Sequence, residues 1–164
     1  MLISYNRLVE LVENGVINAK PEHINSASID ITLDDILIDE WGCEIELKEG
    51  FEHIVRPGEF YLASSREIFN LPNNVAAEYK LKSSMARIGL NHLLAGWCDP
   101  GWQNSKLTLE LKNVTQSQDI KLKTGMKIGQ MVFWQTEPVP DNKSYAKVGR
   151  YNNQTKVTPG LGIK

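Results

Sequence analysis

"LAGWCDPGWQNSKLTLELKN", Leu94 to Asn113, sets a tight turn in front of a strand. Its first half holds Asp99, Pro100 and Gly101, residue types that bend a chain sharply. In its second half apolar and polar residues alternate. A period of two sends Leu107, Leu109 and Leu111 to one face, and Lys106, Thr108, Glu110 and Lys112 to the other. The leucine face must be core. Glu110 then stands mid-strand on the opposite face, where it either meets water or lines a cleft; taken alone, such a glutamate reads as barrel exterior.

Working outward, the same grammar repeats. "SIDITL", "ILIDEW", "CEIEL", "EFYLAS", "VAAEYKL", "IKLKTG" and "MVFWQ" are short β-rich runs, mostly bounded by Gly, Pro, Asn or Asp. "RPGEF", "LPNN", "DPGW" and "KTGMK" read as turns. Many short strands at close spacing predict a mainly β sandwich or barrel rather than alternating βαβ units. Two helices are expected. One starts after Ser4, with Leu8, Leu11 and Val12 on one face, and closes at Asn14-Gly15. The other is the island "KSSMARIGL", opened by serines and ended by Gly89. From Pro138 to Lys164 the chain is polar and predicts a mobile arm on a single domain spanning 1–164.

The chain has 164 residues and a net charge of -2, enough length for one real core and too balanced a charge to favour nucleic acid. A small phosphorylated ligand needs only a few local donors. No apolar run reaches membrane-span length, and "MLISYNRLVELVENG" lacks the basic-then-apolar layout of a secretory leader. Cys43 and Cys98 are the only cysteines and lie far apart, so a reduced, cytoplasmic protein is expected.

Several chemistries find no residues. No Gly-rich loop ends in Gly-Lys-Ser/Thr, and "PGLG" neither follows a strand nor opens a helix. His23, His53 and His92 are scattered. A zinc nucleobase deaminase would need His-x-Glu and Pro-Cys-x-x-Cys, and neither occurs. Cys98 therefore reads as a small apolar turn residue. Two features draw attention to Glu110 instead. Ser83 and Ser84 open the internal helix, which puts hydroxyls and free N–H groups where phosphate oxygens could sit, although a simple cap would look the same. Lys82 and Arg87 flank that seat.

Taken in order, "YKLKSSMARIGL", "AGWCDPGW", "LTLEL" and "GMKIGQMVF" resemble the dCTP deaminases, relatives of the trimeric dUTPases. "INSASIDITL" looks like the family's first strand and "RYNNQTKVTPG" like its closing arm. The resemblance implies a distorted β-barrel, or jelly roll, of dUTPase-like type with a short N-terminal helix and one internal helix. It also implies a homotrimer whose sites draw on more than one subunit.

By the same resemblance Glu110 is the catalytic acid–base. It would take a proton from water as hydroxide attacks C4 of cytosine, then return protons to N3 and the leaving amine. Arg87, with Ser83 beside it, would keep Glu110 ionised and orient the water. Lys82, Ser84 and Gln130 match phosphate-side contacts. Asp99 matches the group that holds the 3'-hydroxyl of deoxyribose, and Trp102 would pack beside the sugar, though a plain barrel aromatic fits it equally. Thr108 and Ala95 fall where the base edge is read. Tyr145, Arg150 and Gln154 match a tail that folds over the triphosphate. Magnesium would arrive with the triphosphate, held by phosphate oxygens and water with no protein side-chain ligand, and zinc is not expected. Relative to the family, Arg87 to Asp99 is one residue shorter and Trp102 to Glu110 one longer. Arg150 stands where Lys is usual.

The leading expectation is deamination of dCTP to dUTP and ammonia. The alternative is the bifunctional form, which continues to dUMP and diphosphate, because "AGWCDPGW" looks more like the Ala-Gly-aromatic of that group than the Ala-His-Arg of one-step enzymes. A plain dUTPase and a non-catalytic dNTP-binding regulatory barrel are kept as further alternatives, with dTTP as a possible ligand.

Overall fold

The alternation that begins at Lys106 produces a nine-residue strand, and the rest of the molecule is arranged around it. The computed structural model describes residues 1–162. The chain opens with helix α1 (Tyr5–Glu13), then β1 (Ile29–Thr32), β2 (Ile36–Asp39), β3 (Glu44–Glu46), β4 (His53–Val55) and β5 (Phe60–Phe69). Next come β6 (Val75–Leu81), helix α2 (Ser83–Arg87), β7 (Leu90–Asn91), β8 (Trp97–Cys98) and β9 (Ser105–Asn113). The chain ends with β10 (Ile120–Leu122), β11 (Lys127–Gln135) and helix α3 (Tyr145–Val148). This is a mainly β fold with short helices, as expected from the runs. Among the described residues no helix is long and apolar enough to cross a membrane.

Two sheets close over one core. One runs β1-β11-β6-β8, the other β3-β2-β5-β9-β7, and β10 pairs with β4 beside them. All pairings between strands are antiparallel. Leu107, Leu109 and Leu111 are buried with Ile29, Ile31, Met131 and Phe133 from the opposing sheet. The other face of β9 is half-buried rather than solvated, burial alternating strictly along the strand. A bridge between Leu33 and Ser65 ties the end of β1 to the middle of β5.

Differences from the sequence reading have local causes. β5 runs on through Phe69, past the expected end at Ser64. Its register with β9 shifts between Ser64 and Ile68, so the two-residue period breaks and "SREIF" does not look like strand. Inside that shift Glu67 is only 5% exposed, and Thr32 satisfies it through its N–H at 3.0 Å and hydroxyl at 2.7 Å. β4, β7 and β8 are two or three residues long, too short to carry a period. Ser4 precedes α1 but its hydroxyl makes no capping bond; its carbonyl accepts from Leu8 N–H. At α2 the capping position is Lys82, which leaves Ser83 and Ser84 exposed in the first turn.

The segment expected as a mobile arm, 138–164, is folded back in this structure over its described part, 138–162; its last two residues lie outside the described residues. It carries α3 and runs beside the start of β9, with Lys106 N–H donating to Gln154 O at 2.7 Å and Asn153 N–H to Gln103 O at 3.2 Å. Val157 and Ser144 are buried.

Candidate active site

Three segments converge on one cleft. The turn before β9 supplies Ala95, Asp99 and Trp102, β9 supplies Thr108 and Glu110, and the folded-back tail supplies Tyr145 and Gln154. The turn depends on Gly101, whose φ of +90° lies in the left-handed region. A side chain there would also collide with Ser144 of the tail. Asp99 is exposed and its Oδ1 accepts from the indole N–H of Trp97 at 2.9 Å. Trp102 has two duties. Its ring stacks on Phe69 at 5.2 Å in the core, and its indole N–H donates to Tyr151 O at 2.7 Å, pinning the tail. Thr108 Oγ1 accepts from Thr158 N–H at 3.3 Å.

Glu110 faces the cleft, opposite Leu62 of β5. Burial pushes its carboxyl up to about 6, opposed only weakly by a backbone N–H. This answers the question its strand position raises: it lines a cleft and its proton is poised near neutrality, the range that suits a group that both takes and returns protons. Burial, with the nearby negative charge of Glu110 second, raises the pKa of Tyr79, whose hydroxyl is buried without a partner among the described residues. Cys98 lines the same cleft, and burial keeps its thiol protonated.

The remaining predicted residues form a second group. Lys82 pairs with Asp30 at 2.8 Å, and Gln130 sits opposite Asp30 in the β1–β11 register. Ser83, Ser84 and Arg87 are exposed on α2, next in the chain to Lys82. None of these five lines the cleft. No cation enters the acidity of Glu110 within one chain, so Arg87 does not act on it there. Arg150 also stays out, donating to Leu161 O at 2.6 Å and Gly162 O at 2.9 Å. The cleft measures about 210 Å³, below the roughly 300–1,000 Å³ of complete small-molecule sites.

Sequence reasoning passed over Trp97, Tyr151 and Thr158, which also line the cleft. The aromatic of "AGWC" was a signal for the first; the other two sit in a polar tail without period. Asp30 was passed over as well. It reads as one polar member of an alternating strand, yet it is buried between two lysines.

The model of the dCTP deaminase-like family matches residues 37–136, which include the turn, α2, β9 and β11. The "dCTP deaminase, dUMP-forming" of Thermobifida fusca is 36% identical over an alignment of 181 positions, covering 97% of this chain and 91% of that protein. Its namesake in Methanosphaerula palustris is 40% identical over 116 residues, 70% of this chain, and the match spans 61% of that protein's length. Among solved structures, the 2'-deoxycytidine 5'-triphosphate deaminase of Agrobacterium tumefaciens superposes with a TM-score of 0.71 at 16% identity, over 90% of this chain and 52% of that one. The dUTPase of EIAV gives 0.53 at 21% identity, over 79% and 94%. At those identities the likeness is one of fold. With the family model matching residues 37–136, which hold the turn and β9, and the Thermobifida fusca relative aligned over 97% of the chain, the chain belongs to the dCTP deaminase-like family.

Proposed function

We propose that the protein deaminates dCTP and carries the product on to dUMP, releasing ammonia and diphosphate. The observation that carries this is the setting of Glu110, a mid-strand carboxylate in a cleft beside Asp99 and Thr108, held by burial at an acidity of about 6. In the first step Glu110 accepts a proton from water while the hydroxide adds to C4 of cytosine. N3 takes a proton, the amine takes another, and the C4–N4 bond breaks to give dUTP and ammonia. In the second step water attacks the α-phosphate and diphosphate leaves. The relatives' names favour this continuation over the leading sequence expectation of dUTP as the end product.

Ser83 and Arg87 act, in this reading, from a neighbouring subunit of a homotrimer. The undersized cleft and the exposed polar face of α2 support a site completed between chains. There Arg87 would lower the pKa of Glu110 and orient the water. Asp99 would hold the 3'-hydroxyl, its Oδ1 steadied by Trp97. Lys82, Ser84 and Gln130 would meet the phosphates, and Tyr145, Arg150 and Gln154 would close over them once Arg150 releases the tail carbonyls. Among the described residues no three His, Cys, Asp or Glu side chains gather as a cation site. A magnesium ion would come with the triphosphate, bound by phosphate oxygens and water, where it would neutralise phosphate charge.

Incubation with dCTP and magnesium, followed by separation of nucleotides, tests the reading. Ammonia with dUMP is expected; ammonia with dUTP alone restores the one-step reaction. Turnover of dUTP with none of dCTP identifies a plain dUTPase, and binding without any turnover a regulatory barrel.

A further inference from the structure

We propose that Lys127 is an additional contact for the nucleotide's triphosphate, held ready beside Lys82 by the buried carboxylate of Asp30. What the ligand is rests on the deaminase reading above; which residue meets it rests on the following geometry. Asp30 on β1 is 3% exposed. Its Oδ1 accepts from Lys82 Nζ and its Oδ2 from Lys127 Nζ, each at 2.8 Å, and Asn25 Nδ2 adds a bond to Oδ1 at 3.1 Å. Burial alone would raise the pKa of Asp30, but the bonds from Lys127, Lys82 and Asn25 outweigh it and keep the group ionised.

One buried carboxylate needs one counter-charge. Here it has two, and the surplus stays positive. Both lysine side chains keep a solvent-facing portion, 29% and 43% exposed. Gln130, across the ladder from Asp30, has its Oε1 occupied by the Ser28 hydroxyl at 3.2 Å, leaving its amide N–H groups to donate. The acceptors of this cluster are therefore consumed internally, while both lysine side chains stay partly exposed and Gln130 keeps amide N–H groups to donate. Such a face suits a polyanion with several oxygens, not a base or a sugar. Because one carboxylate holds both ammonium groups, they stand side by side and can address neighbouring phosphates with little ordering cost at the moment of binding.

Binding of dCTP and of dCMP to the full-length protein, to K127M, to K127R and to K82M with and without K127M provides the test. Losing one phosphate contact should weaken dCTP about tenfold and dCMP less than about twofold. K127R should recover most of the loss. In the K82M background K127M should still weaken dCTP further, by an amount that the double-mutant cycle reads because the two lysines share Asp30. An equal loss for both nucleotides, or no further loss in that background, would mean that Lys127 only props its neighbours, and the proposal falls. A parent that binds dCTP and a K127M variant that binds it equally overturn Lys127 alone. A parent that binds no dCTP overturns the deaminase reading, and this proposal with it.

Discussion

Glu110 concentrates the residue-scale argument. Its carboxyl is raised from 4.5 to about 6 by burial, so the folded chain carries a penalty for the charged form. That penalty is absent below about 4.5 and complete above about 6, so stability falls as pH rises through this window. In the separated subunit, where no partner guanidinium offsets burial, Glu110→Gln removes it. The variant should melt no lower than the parent at pH 8, with a gain of at most about 1 kcal/mol because the side chain is only partly buried, and the gain should vanish at pH 4. Calorimetry at the two pH values reads this directly. The same variant should lose ammonia release by about a thousandfold or more while still binding dCTP, if Glu110 is the sole proton carrier. Arg87→Met tests the partner: in the assembled protein the acidic limb of kcat/KM should move up towards 6, the value burial alone sets. A limb that stays in place would remove Arg87 from the electrostatics of Glu110.

At the scale of elements, the turn and the tail behave as one unit. Gly101 permits the bend before β9, and its missing side chain is the space into which Ser144 fits. Gly101→Ala should cost about 2 kcal/mol or more, from a strained left-handed alanine and the collision, a drop of several degrees in Tm. The tail should also become cleavable by protease in the region after Pro138. Trp102→Phe keeps the stack on Phe69 but removes the bond to Tyr151. Exchange of the amides of Asn153, Gln154 and Thr158 should accelerate, with loss of about 1 kcal/mol of docking. Unchanged exchange would show that the tail is held by its backbone ladder and not by Trp102.

Over the whole molecule, in the proposed reading, two half-sites lie on one chain and a second chain completes each. Sedimentation should give a mass near three times 18.5 kDa. Glu110→Gln and Arg87→Met, each nearly inactive alone, should regain turnover when their subunits are mixed and reassembled. If each site takes its carboxylate from one chain and its guanidinium from the next, about a quarter of sites are intact in an equal mixture. No recovery after proven subunit exchange would place both groups on the same chain.

Periodicity determined much about this protein. Alternating leucines in β9, β-branched runs and glycine-proline turns are local signals, and they were enough for the longer strands, the two main helices and the single core, but not for β4, β7, β8 or the second half of β5. The resemblance to the dCTP deaminases singles out Ala95, Asp99, Trp102, Thr108 and Glu110, and they meet in one cleft because a turn and the strand after it stay close in space. Tertiary structure alone decided the rest. Whether Glu110 meets water depends on a tail forty residues away, and whether Asp30 is a surface acid or a buried clamp depends on lysines some fifty and one hundred positions downstream. Desolvation and charge pairing are set by what approaches from elsewhere in the chain, and no local pattern of residues encodes that.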